Sequence, residues 1–168
     1  EGGRRYTPKI DSDTSVTGWK IAAFAAAQHG GIVLPKKSLD QVSRFLDSVA
    51  NADKSRYSYL PSMDQHTPVM TAEALMSRVH LKWSNRQALL KGADYLLSAQ
   101  NQPSNADRNV YFWFHTTSLM RSIGDKHWDR WNLLLRDLLL KSQEADWSWP
   151  PDEDEWGPHA GRLFQTSL

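Results

Sequence analysis

The chain has 168 residues, with 20 Lys and Arg against 19 Asp and Glu, so no global field favours nucleic acid or an anionic membrane. It contains no cysteine, which excludes disulfides and thiolate metal sites. Its longest clean apolar run, Ile21 to Ala27, falls far short of the ~20 residues of a membrane span. Eight tryptophans are the compositional outlier, and they fall near helix starts and in loops.

Residues 1–10 are rich in Gly, Arg and Pro and are expected to form a flexible N-terminal segment, ahead of one helical repeat domain over 11–168. The first residue is Glu and no secretory signal precedes the domain, so the chain reads as a piece of a larger protein. Asp13 or Ser15 can cap a first helix that glycine stops at Gly30-Gly31. Its interior, Ile21 to Ala27, is small and apolar all round, as expected of a helix buried on most sides. Ser38 with Gln41 reads as a capping box for a second helix, striped by Leu39, Val42, Leu46 and Val49.

Thr67-Pro68 reads as cap plus first residue of a third helix reaching about Lys82. Ser84 with Gln87 reads as the capping box of a fourth, running to about Asn101. A polar loop over 102–109 precedes a fifth helix from near Tyr111 to Gly124. Trp131, Leu134, Leu135, Leu138 and Leu139 carry the apolar face of a sixth. A loop rich in Trp, Pro and acid covers 143–159, and a last helix is expected from about Ala160.

Helices apolar on most sides thus alternate with one-sided ones. A threonine phrase marks the first kind: Thr17, Thr71, Thr116 and Thr166 are separated by 54, 45 and 50 residues. Such a period signals an array of helical hairpins, because one hairpin cannot cover its own apolar face and stacked hairpins can. The expected fold is all-α, a partial α/α toroid of about three and a half hairpins with inner and outer helices alternating. Strand signals are nearly absent, and Ile32 to Leu34 is too short to change this.

The stretch Lys91-Gly92-Ala93-Asp94-Tyr95-Leu96-Leu97-Ser98-Ala99-Gln100 resembles the first half of the QW repeat of triterpene cyclases, although its Gly-x-Trp half is missing. Gln143 to Trp149 keeps the Gln and Trp but has Trp147 in place of glycine. With these motifs the chain resembles the prenyltransferase and squalene-oxidase repeat superfamily over most of residues 10–168. Asp13 to Trp19, Tyr111 to Thr116 and Trp131 to Gln143 look like large bacterial repeat proteins with no assigned reaction. The resemblance implies a squalene-cyclase-like architecture, and function must come from the site.

Each chemistry of that group needs residues that can be looked for. Class II cyclisation uses a strongly acidic carboxyl among aromatic faces. Here Asp11-Ser12-Asp13-Thr14 resembles its Asp-x-Asp-Asp-Thr motif, with Ser12 in the donor's place when Asp13 aligns with the last aspartate. Asp13 also reads simply as a helix cap. Protein prenyltransferase zinc sites and thioester domains both need a cysteine, and there is none. Asp64, His66 and His115 stand before or at the start of inner helices and would approach the mouth of a toroid. Their spacing matches no tight ligand motif, so no metal and no cofactor are expected. Glu73 is a carboxylate on an inner helix, facing the cavity or pairing with Arg78 or Lys82. Tyr57 and Tyr59, Tyr111 to Phe114, and Trp147 and Trp149 would line a cavity or seal successive hairpins. Asp152 to Glu155 reads as a solvated loop.

The leading expectation is a non-catalytic helical-repeat module for protein–protein contact or scaffolding, completed by a second copy or by the rest of a larger chain. An isoprenoid-binding or cyclase-like domain would instead take an apolar small molecule, with Asp11, Asp13, Trp19, Asp64, His66, Glu73, Tyr111, Trp113 and His115 around the cavity mouth. A carbohydrate-binding or glycosidase-like toroid would need two carboxylates across a groove. Nucleic acid and a membrane span are not expected, and the sequence does not specify a compartment.

Overall fold

The computed structural model describes residues 2–7 and 11–168. Short polar side chains set the helix starts by accepting the N–H three residues on. Asp13 accepts from Val16 and opens α1 (Thr14–His29), and Thr67 accepts from Met70 and opens α3 (Pro68–His80). Asn85 accepts from Ala88 before α4 (Arg86–Leu96), and Asn109 from Phe112 before α5 (Val110–Ile123). The remaining helices are α2 (Lys36–Ser48), α6 (Asp125–Ser142) and α7 (Gly157–Ser167), with a 3-10 turn at Ala99–Asn101. Among the described residues there is no strand, only isolated bridges, so the fold is all-α.

Two expected capping boxes do not form. α2 begins at Lys36, with Pro35 before it and no side-chain cap, so Ser38 already lies in the first turn. At α4 the neighbouring Asn85 takes the cap role from Ser84. The fourth helix stops at Leu96 instead of continuing to Asn101, and the last begins three residues early and kinks at Gly161 (φ 77°).

Helix α3 packs against both α1 and α5, while α2 packs on α1, α4 on α3 and α5, and α6 on α5. Eight of the 13 residues of α3 are buried against five of 16 in α1, because α3 packs against α1, α4 and α5 while α1 packs chiefly against α3. The expectation that α1 is enclosed on most sides is therefore corrected: Ile21 and Ala25 are buried, while Ala23 and Ala26 are exposed. The core runs through Ile21, Leu46, Leu75, Leu96, Leu119 and Trp131. Arg78 crosses it fully buried, with Nη2 2.5 Å from Asp47 Oδ1 and Nε donating to the Tyr57 hydroxyl at 3.2 Å.

The recurring threonine has a structural job. Thr71 Oγ1 accepts from the Tyr57 N–H at 3.0 Å, Thr17 Oγ1 from Arg4 at 2.8 Å and Thr166 Oγ1 from Trp149 at 3.3 Å. Each pins the segment ahead of a helix to that helix. Thr116 is fully buried, and its hydroxyl has no partner among the described residues. It follows the shortest of the three intervals, where the connection supplies no equivalent N–H. The same pin anchors the N-terminus: Gly2 and Gly3 are buried, and Arg4 also accepts from the Asp13 N–H at 3.0 Å. Within the segment expected to be flexible, residues 2–4 make these contacts, and residues 1 and 8–10 lie outside the described residues.

Candidate functional site

The first turns of α1, α3, α5 and α7 line one cavity of about 710 Å³. Ser15, Val16 and Trp19 come from α1, Val69 and Met70 from α3, and Tyr111 from α5. Trp156, Ala160 and Phe164 close the α7 side, while Tyr6 and Tyr59 enter from loops. Trp19 and Trp156 are each 47% exposed, so the cavity opens to solvent between two tryptophan edges.

From this wall a polar chain runs inward to a buried acid. Trp19 Nε1 donates to the Tyr111 hydroxyl at 3.1 Å, and that hydroxyl donates to Glu73 Oε2 at 3.1 Å. Glu73 Oε1 turns toward Gly18, where an added Cβ would come within 2.3 Å of it. The carboxyl thus occupies space that only glycine leaves open. Burial raises the Glu73 pKa to about 9, and the Tyr111 hydrogen bond offsets part of that rise. His115 Nε2 lies 3.9 Å from Glu73 Oε1, and burial lowers its pKa to about 4. At neutral pH both groups are uncharged, so this contact is not an ion pair. Around them Trp19 stacks on Phe114 (5.8 Å between centroids), and Tyr111 meets His115 edge-on at 4.6 Å.

Asp13 is fully buried, and its carboxylate is occupied: Oδ1 accepts from the Val16 N–H and the Ser15 hydroxyl, and Oδ2 from the Tyr59 hydroxyl at 3.0 Å. Arg5 Nε stands 3.4 Å from Oδ2. Such a group anchors a helix start and holds no free lone pair toward the cavity.

Of the residues expected at a cavity mouth, the structure brings together Asp13, Trp19, Glu73, Tyr111 and His115. It separates the others. Asp11 is exposed, pairs with Arg5 and borders a different hollow beside α2. Asp64 is exposed on the loop before α3, and His66 pairs with Ser58 there. Trp113 points to the opposite side of α5, into a hollow of about 410 Å³ shared with Leu135 and Trp149. Glu73 reaches neither Arg78, which pairs with Asp47, nor Lys82. Among the described residues no group of three or more His, Asp or Glu could hold a metal ion.

Several contributors were hidden in the sequence. Asp154 is buried in the loop expected to be solvated, where it accepts from the N–H groups of Val110, Trp156 and Gly157 and ties the starts of α5 and α7 together. Its neighbour Glu155 accepts from Asn109 Nδ2 and lines the cavity. Trp156 completes the aromatic wall beside Tyr59, one of the tyrosines expected to line a cavity, and Gly18 makes room for Glu73. The buried His127 bonds Asp94 at 2.9 Å between α6 and α4, away from the cavity.

No protein-family model, curated protein or solved structure matches this chain.

Proposed function

We propose that the chain is a non-catalytic helical-repeat module, a partial α/α toroid of the prenyltransferase and squalene-oxidase repeat type, that acts by binding at the mouth of its inner helices. The observation carrying this reading is the convergence of four helix starts on one open, aromatic cavity whose two buried acids, Asp13 and Glu73, are unsuited to proton donation. Asp13 spends its oxygens on a helix cap and on Tyr59. Glu73 is sealed behind Tyr111 with its pKa raised to about 9, the wrong direction for an acid that must protonate an alkene. What the mouth retains is shape and aromatic surface, which suit recognition.

The test is a two-dimensional NMR screen of the labelled chain against small aromatic, alkyl, sugar and cationic fragments. Shifts gathered at Ser15 to Trp19, Tyr59, Val69, Tyr111 and Trp156 support the reading. Shifts gathered elsewhere, or none from any fragment, overturn it. The bare alanine-rich face of α1 is in this reading an association surface for a second copy. A monomeric mass by light scattering across a wide concentration range removes that part.

A further inference from the structure

We infer that the mouth cavity takes a small organic cation, an alkylated ammonium group carried on an apolar body. This inference rests on the binding-module reading and names the chemistry of its ligand. The wall presents the rings of Tyr6, Trp19, Tyr59, Tyr111, Trp156 and Phe164, one carboxylate, Glu155, and no Lys, Arg or His among the described residues. Aromatic faces attract cations through the ring quadrupole, most strongly where water is excluded, and a weakly hydrated alkylated ammonium pays least to enter. A neutral apolar occupant would gain nothing from Glu155, which is exposed and bonded to Asn109, and an anion would meet its carboxylate as a like charge.

The surroundings are mixed in sign. Asp13 lies directly behind the wall, bonded to Ser15 and Tyr59, with its charge paired to Arg5, so Glu155 is the carboxylate left to face a ligand. The converging helix starts oppose a cation with roughly half a charge each, and acidic groups stand at two of them. Asp13 caps α1, and Glu155 is bonded to Asn109, the cap of α5. The wall already carries one cation on its outer side, where Arg5 Cζ lies 5.9 Å from the Tyr59 ring centroid, held by Asp11 and Asp13. Trp19 is fixed by its bond to Tyr111 and its stacking on Phe114, so its ring is ordered before a ligand arrives. A volume of about 710 Å³ exceeds a bare ammonium group and fits a drug-sized molecule, hence the apolar body. An inorganic ion is not the match, since the described residues hold no carboxylate and histidine cluster.

The experiment compares benzyltrimethylammonium with its neutral carbon isostere, neopentylbenzene, by NMR shifts and tryptophan fluorescence. The cation is expected to bind about threefold tighter or more, the preference of a solvent-open cation–π site. Glu155→Gln should weaken the cation about threefold or more and leave the isostere unchanged, the loss of one partly exposed charge partner. Trp156→Leu should weaken both, with circular dichroism confirming that the helices persist. Equal binding of the two probes in the mouth overturns the cation inference and leaves the binding module standing. Absence of both probes from the mouth, in protein with native dichroism, overturns both.

Discussion

The Tyr111 hydroxyl joins a surface ring to a buried acid: it donates to Glu73 Oε2 and accepts from Trp19 Nε1, each at 3.1 Å. Tyr111→Phe removes both bonds and keeps the ring. A loss of about 1–2 kcal/mol is expected near pH 6, the net worth of one or two neutral hydrogen bonds. The same change removes the hydrogen bond that lowers the Glu73 pKa, so that pKa should rise further. Urea unfolding, with carboxyl-labelled NMR of Glu73, checks both.

Stability should fall as pH rises because of Glu73. Its folded pKa, about 9, lies above the ordinary 4.5, so between these values the folded chain keeps a proton that the unfolded chain has released. By pH 7 this costs about 3 kcal/mol, at about 1.4 kcal/mol per unit. His115 acts oppositely: its folded pKa is about 4 against 6.5, so its burial costs stability as pH falls through that window. The two slopes oppose each other between 4.5 and 6.5, and the net decline begins above 6.5. Glu73→Gln should flatten that alkaline limb. Unfolding free energies at about pH 6 and about pH 8.5 test this, and an unchanged slope in the variant would show that another group titrates.

Gly18→Ala places a methyl 2.3 Å from Glu73 Oε1 and 2.7 Å from its Cγ, in a site closed by Tyr111. Overpacking of this kind costs about 2 kcal/mol. In the Glu73→Ala background the added methyl should be nearly neutral. A double-mutant cycle reads the coupling directly, and additive costs would mean the two residues are independent.

The threonines should split by partner. Thr71→Val leaves the Tyr57 N–H buried and unbonded, at a cost of about 2 kcal/mol. Thr116→Val removes a buried hydroxyl without a partner among the described residues and should be neutral or stabilising. Thermal melts of the two variants, made side by side, decide it.

Asp154→Ala deprives three N–H groups of their acceptor at the junction of α5 and α7. About 2 kcal/mol is expected, the upper end for a lost cap. Hydrogen exchange should show the loss concentrated in α7 and the first turn of α5. Uniform acceleration along the chain would place Asp154 in the global core instead.

Much of the helix plan was legible because it is local. Thr67-Pro68 and Asp13 announced helix starts through side chains that bond their own N–H groups, and the leucine stripe of α6 declared its buried face. The failures were local too, as when Asn85 displaced Ser84 by one residue, since several polar residues in a row offer equivalent caps. The site was half legible. Trp19, Glu73, Tyr111 and His115 stood out as polar or aromatic groups on apolar helices. Trp113 did as well, and one helical step sends it to the other side.

From composition and periodicity alone come an all-helical chain, the order of its segments and the recurrence of a threonine every 45 to 54 residues. Tertiary structure decided the rest. Whether a carboxylate is solvated or sealed depends on which helices close over it, and those neighbours are far away in sequence. Glu73 became a neutral buried acid because Gly18 and Tyr111 meet it from α1 and α5. Asp154 became a buried junction because α5 and α7 start side by side. Burial and hydrogen bonding are sums over spatial neighbours, so a linear reading names the residue and the packing assigns its charge.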